Sequence, residues 1–389
     1  MTLPMAGNST NSQQRVLLGR IAPAVVLICL LLDFSLRFLP PGLITFRAWE
    51  AVAPFATGNG PFIPNTVYRN MRSSGDLANI ANLPHLRQYR EEVFSTDAAG
   101  YRNRGETAKP FTGILLLGNS FAVGPGVSDS LTLSEQLNDI SGCRVYNGGL
   151  TPSLWELLQD LQMTRGLVIW LQVDNSLLQL SSDPERVSEQ GWKRQLVSRA
   201  FGDKPTETLR QIYKYAKFYS PLEILFGRAV KFLQNDKIFP NPYRSEAVEA
   251  KLRNGREILF LPTDVRNYET DRPTDPKFFV QLKMQLQEKG IGLLVLLVPD
   301  KYAVYHDLLL SASPRTERRQ FLDVVEQRLA AANVPVLNLM PDFRKQAEAL
   351  LARGEYLYWL DDTHWNAEGI REAAQAITNS KAVFECPCR

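Results

Sequence analysis

"ILLLGNSFAVGPGV", residues 114–127, decides how this chain is read. Four apolar residues run into Gly118, Asn119 and Ser120, and glycine returns at 124 and 126. A short, unbroken apolar run is the pattern of a strand buried on both faces. Gly, Asn and Ser end such a strand well because they accept turn conformations. A hydroxyl at the tip of a buried strand is also where a nucleophile would be presented, so Ser120 is a candidate.

Outward from that stretch the pattern alternates between strand and helix. "SDSLTLSEQLNDI" (128–140) predicts an amphipathic helix with a capping Ser or Asp, and "CRVYNGG" (143–149) a short strand with a glycine turn. "SLWELLQDLQM" (153–163) reads as helix and "GLVIWLQV" (166–173) as a second buried strand. The alternation resumes with a helix at 277–290, a strand at 291–301, a helix at 317–333 and a strand at 334–340. "DDTHWNAEGI" (361–370) and a closing helix, 371–380, follow. Buried strands separated by helices predict an α/β fold, a parallel sheet covered by helices on both faces.

The 389 residues are 44% apolar and 22% charged, the balance of a folded globular chain. A net charge of +3 is too small to argue for nucleic acid, and zinc-finger, P-loop and dinucleotide signatures are absent from the sequence. Four cysteines are few for a disulfide scaffold; a Cys143–Cys386 or Cys143–Cys388 bridge stays open for an oxidising compartment. "VLLGRIAPAVVLICLLLDFSLRFL" (16–39) is mostly apolar over about the ~20 residues that cross a bilayer. Arg15 and Arg20 precede its core with no acidic residue before it, which orients the N-terminus to the cytoplasm. The expectation is a single-pass inner-membrane anchor whose remaining chain is periplasmic or extracellular.

The chain then divides into a cytoplasmic tail (1–15), the anchor (16–39) and an extended, Pro- and Gly-punctuated lead-in (40–110). After these come a first core half (111–180), a helical insertion or cap (181–277) and a second core half (278–389). The insertion interleaves basic and aromatic residues in "RQIYKYAKFYSPLEILFGRAVKFLQNDK" (210–237). That pattern fits a cap, a surface lying on a membrane, a groove for an acidic polymer, or an ordinary solvated face.

A serine nucleophile needs a base, and the chain has three histidines: His85, His306 and His364. His85 has no acidic neighbour, and His306 has only the adjacent Asp307. His364 follows Asp361 and Asp362 on a short loop, where a carboxylate can hold Nδ1–H and fix the tautomer. Developing negative charge also needs donors. The candidates are the N–H of Ser120, the N–H of Gly148 or Gly149, and the Asn175 side-chain amide, all at the C-terminal ends of expected parallel strands, where open α/β sheets bind ligands.

Ser in "GNS", Gly in "NGG", Asn in "DNSLL" and His in "DDTHW" together resemble, in order, the four blocks of the SGNH (GDSL-like) hydrolase superfamily. "FSTDAAGYRN" ahead of "LLLGNSFAVGPGVSDSLTLSEQL" resembles membrane-anchored bacterial members. "LLVPDKYAVY" and "DDTHWNAEGI" resemble the SGNH-like domains of the alginate O-acetyltransferase family. The resemblance departs at Asn119, where the family usually has Asp, and at Asn175, which is followed by Ser176. It also departs in order, since the alginate enzymes place the histidine motif before the serine.

The resemblance implies a Ser120–His364–Asp362 triad, with Asp361 the alternative acid, that needs no metal or nucleotide cofactor. It implies transfer or removal of an acyl group, acetyl foremost, on an exopolysaccharide or envelope glycan. A multi-span membrane acyltransferase would supply acetyl. The alternative is an inactive SGNH-like protein that binds glycan or scaffolds a polysaccharide secretion complex.

Overall fold

The computed structural model describes residues 9–36, 38, 47–52, 59–174, 220–268, 276–311 and 321–380. Helix α1 (Ser9–Leu36) covers most of the segment read as a membrane anchor. Among the described residues, however, no helix is long and apolar enough to cross a membrane. Helix α2 (Ala48–Val52) precedes strand β1 (Val67–Ser73), helix α3 (Asp76–Ile80) and strand β2 (Arg90–Ser95). β1 and β2 pair antiparallel, from Val67 opposite Ser95 to Ser73 opposite Arg90. The described part of the lead-in therefore holds a two-stranded antiparallel ribbon and two short helices. Its strand "VYRNMRS" is mostly exposed and polar, so it carries no apolar period to read.

The core begins at β3 (Gly113–Leu117), every residue of which is buried. Helices α4 (Ser120–Val123) and α5 (Leu133–Ser141), strand β4 (Val145–Asn147), helix α6 (Leu154–Asp160) and strand β5 (Gly166–Val173) follow. Thr132, and neither a Ser nor an Asp, caps α5 by accepting from Glu135 N–H. Asp129 instead accepts from Ser95 N–H and from Arg102.

Of the insertion, the described residues form helix α7 (Pro221–Leu233), the antiparallel pair β6 (Val248–Lys251) and β7 (Glu257–Phe260), and helix α8 (Pro262–Tyr268). Helix α9 (Lys277–Gln287), strand β8 (Ile291–Val298) and helices α10 (Lys301–Tyr305) and α11 (Phe321–Ala331) come next. Strand β9 (Val336–Asn338) and helices α12 (Met340–Leu351) and α13 (Ala367–Asn379) complete the order.

The central sheet is parallel throughout, in the order β4-β3-β5-β8-β9. β5 and β8 pair over their full lengths, Gly166 beside Ile291 through Val173 beside Val298, and are almost wholly buried. α9 packs on β8, α11 on β9, and α13 against α5. In this strand order the connections reverse between β3 and β5, and a crevice opens there beyond the carboxyl ends. The segment that follows β3 begins at Gly118, so Ser120 stands at that crevice.

Cys143 is disulfide-bonded and Cys29 is a free thiol. The two other cysteines, Cys386 and Cys388, lie outside the described residues.

Candidate active site

Ser120 opens α4 directly after β3, so its N–H has no acceptor within the helix. Asn119 caps that helix, its side-chain oxygen accepting from Phe121 N–H at 3.0 Å. Asp and Asn cap equally well, so Asn119 fills this role where the sequence resemblance leads one to expect Asp. The turn after α4 is held by Arg102, which is buried. Arg102 donates to the carbonyls of Val123, Gly124 and Val127, and to Asp129. Burial lowers the pKa of this guanidinium, against the opposing charges of Asp129 and Glu92. The neighbouring Asn103 fastens the next strand end: its side chain accepts from Asn147 N–H at 2.8 Å and donates to Asn147 O at 3.2 Å. "DAAGYRN" in the lead-in is thus a clamp on two loops of the crevice.

His364 comes from the loop before α13. Its Nε2 lies 2.8 Å from Ser120 Oγ, and its Nδ1 lies 2.7 Å from Asp362 Oδ1. Asp362 also accepts from the His364 N–H at 3.0 Å. Of the two candidate acids, then, Asp362 reaches the imidazole. Asp361 turns away, accepting from Gly75 N–H, Gln88 N–H and Arg90. Phe121 packs against the imidazole, ring centroids 4.9 Å apart.

Three charged residues that the sequence did not single out hold this loop. Arg90 at the start of β2 bridges both carboxylates, Nη1 to Asp361 at 2.9 Å and Nη2 to Asp362 at 3.0 Å, with its guanidinium stacked 4.1 Å from the Trp359 ring centre. Lys301 is fully buried and donates to the carbonyls of Trp359, Leu360 and Asp362. Burial pushes its ammonium down to about 8, although Asp362, Asp361, Asp76 and Asp264 pull the other way.

Asp76 at the start of α3 is the third. It donates its own N–H to Asp362 Oδ2 at 3.1 Å and accepts from Thr363 N–H and Thr363 Oγ1 at 2.8 and 2.7 Å. Its approach requires Gly75, where a Cβ would stand 2.0 Å from Asp361 O.

Burial alone would raise the Asp362 carboxyl. The His364 hydrogen bond and the charges of His364, Arg90 and Arg47 outweigh it and hold Asp362 well below the ordinary carboxylate range. Asp76 goes the other way: burial and the Asp362 charge raise it, against His364 and Arg47. Two nearby carboxylates pushed apart in this way are a recurrent feature of sites that handle protons.

Asp76, Asp362 and His364 place ligand atoms within 4.8 Å of one another, close enough to consider a cation. Here, however, Asp362 and His364 spend those atoms on each other, and both Asp76 oxygens accept bonds.

The expected oxyanion donors fare differently. Gly148 N–H is given to Leu116 O at 2.8 Å and Gly149 N–H to the Asn147 side chain at 3.0 Å, so neither is open toward Ser120. What these glycines supply is room: a Cβ on Gly149 would stand 2.9 Å from Val123 N. Asn175 lies outside the described residues. His85 is exposed on a 3-10 turn. His306 is buried, stacked on Tyr268 at 4.7 Å and bonded to Asp307 at 3.1 Å.

No curated protein matches the chain. A solved structure aligns over 73% of this chain and 100% of its own length at 11% identity, with a TM-score of 0.32, too low to carry an argument. Residues 259–382, which contain Lys301, Asp361, Asp362 and His364 but not Ser120, match the SGNH hydrolase-like domain of the acetyltransferase AlgX family.

Proposed function

We propose that this chain is a membrane-anchored, serine-dependent O-acyl transferase or esterase, acetyl being the expected group, that acts on an exopolysaccharide or envelope glycan outside the inner membrane. The observation that carries the reading is the unbroken chain Ser120 Oγ, His364, Asp362, with links of 2.8 and 2.7 Å at the carboxyl end of a parallel sheet. The disulfide at Cys143 supports an oxidising compartment.

In this mechanism Ser120 Oγ attacks the acyl carbonyl while His364 Nε2 takes its proton. Asp362, kept ionised, holds Nδ1–H and stabilises the imidazolium. The Ser120 N–H is a donor for the developing oxyanion, with Asn175 a further candidate. Collapse of the tetrahedral adduct breaks the carbonyl–oxygen bond of the donor, and His364 protonates the departing alcohol. His364 then takes a proton from the acceptor hydroxyl, whose oxygen attacks the acyl-serine. The Oγ–acyl bond breaks and the proton returns to Ser120. A sugar hydroxyl as acceptor gives transfer, and water gives hydrolysis.

The test is turnover of 4-nitrophenyl acetate by the parent and by Ser120→Ala, with glucan and uronate oligosaccharides added and their masses followed. Nitrophenol release by the parent alone supports the serine mechanism, and a gain of 42 mass units on an oligosaccharide, roughly one acetyl, marks transfer. Equal release by both proteins overturns it.

A further inference from the structure

Helix α7 is amphipathic and lies on the domain by one side: Pro221 is its one fully buried residue, and its outer side is exposed. Phe226 and Phe232 are each 70% exposed, and Leu233, Ile238 and Phe239 are exposed too. At 3.6 residues per turn, Leu222, Phe226, Ala229 and Leu233 form one stripe. Lys231 stands on the opposite side and turns inward, its Nζ donating to Asn79 O and Ile80 O at 3.1 and 3.0 Å. The apolar stripe therefore faces away from the domain.

The start of α7 is joined to α1. Asp33 Oδ1 accepts from Ser220 Oγ at 2.6 Å and from Leu222 N–H at 3.3 Å. From Ile21 to Phe34, α1 is itself exposed and apolar nearly all round. A helix apolar on every side needs hydrocarbon or a core around it. The two uncovered apolar surfaces thus run into each other at Asp33.

We propose that α7 and the turn through Phe239 lie flat on the bilayer that α1 enters, with the apolar stripe in the interface, Phe232 at its flank and Lys237 beside the headgroups. This rests on the membrane-anchored reading above. An amphipathic helix with Phe and Leu on one face and Lys and Arg on the other binds in that way. The occupant is lipid because the stripe continues an apolar helix that must itself be covered.

The contact has a consequence for the site. Asn82 Nδ2 donates to Lys231 O and Gln234 O, which ties the end of α7 to the end of α3. The first residues of α3 are bonded to Asp361 and Asp362. One short helix therefore separates the membrane contact from the loop that carries His364, and the serine works at a fixed height over the lipid surface.

The experiment places p-benzoylphenylalanine at Phe226 or Phe232 in the full chain, reconstituted into phosphatidylethanolamine–phosphatidylglycerol vesicles. Flotation is scored first, then ultraviolet crosslinks by mass. Flotation with a phospholipid adduct at both positions is the expected result. Flotation without lipid adducts overturns the inference and leaves the anchor standing. A crosslink to a second copy of the chain also overturns it, because that copy then covers the stripe. Failure to float removes the anchored reading itself, and this inference with it.

Discussion

Ser120 and His364 meet at 2.8 Å but are held in opposite ways. Ser120 stands on regular structure: a wholly buried strand ends, Asn119 caps the next helix, and the side chain falls at the crevice. His364 stands on irregular chain. Its loop is kept in place by Arg90, Lys301 and Asp76, which come from a strand and two helices far away in sequence. The serine half is set by local pattern and sheet topology. The histidine half is set by buried charges that satisfy one another, and each depends on the others remaining.

This contrast can be broken at the acid. Asp362→Asn leaves the loop packed but takes the charge from His364, and turnover of an acetyl ester should fall about 10⁴-fold. Asp361→Asn, one residue away, should cost stability and leave far more activity. Steady-state kinetics on both variants, with unfolding curves, separates them; equal kinetic losses would mean the two acids are not divided as described.

The next effect is on folding. Arg90→Met strands two buried carboxylates and should lower unfolding stability by about 3–5 kcal/mol in a denaturant titration. A loss under 1 kcal/mol, roughly the worth of an exposed pair, would show the bridge to be idle.

The same loop should answer to acid. Asp362 is held below its unfolded value of about 3.9, so the stability it contributes is complete above that pH and is lost as pH falls toward the folded value. The stability gap between the parent and Asp362→Asn should therefore narrow below about pH 4, and a gap that widens there would contradict the assignment.

The smallest change belongs to the serine half. Asn119→Ala should cost about 1 kcal/mol as a lost cap, and Asn119→Asp a few tenths at most. Thermal melts decide this. A large loss with Asp would mean that Asn119 matters to more than the helix end.

The legibility of the sequence follows the same division. β3, β5 and β8 were readable because strands buried on both faces are continuous apolar runs. Ser120, His364 and Asp362 could be picked out because a serine at a strand end and a histidine beside carboxylates are distinctive residue types, and the structure brings the three within hydrogen-bond distance. Arg90, Asp76 and Lys301 carried no such signal: a charged residue reads as exposed until its distant partners are known. The directions of the Gly148 and Gly149 N–H groups were hidden for a related reason. "NGG" identifies a turn but not where its N–H groups point, and here they are taken by Leu116 and Asn147. The ribbon β1–β2 was missed because its first strand is mostly polar and exposed.

Activation of Ser120 by His364 can be read from intact mass after the folded protein is exposed to a fluorophosphonate. One covalent adduct on the parent and none on Ser120→Ala is the expected result. A folded parent that takes no adduct, or a variant that still takes one, would contradict it.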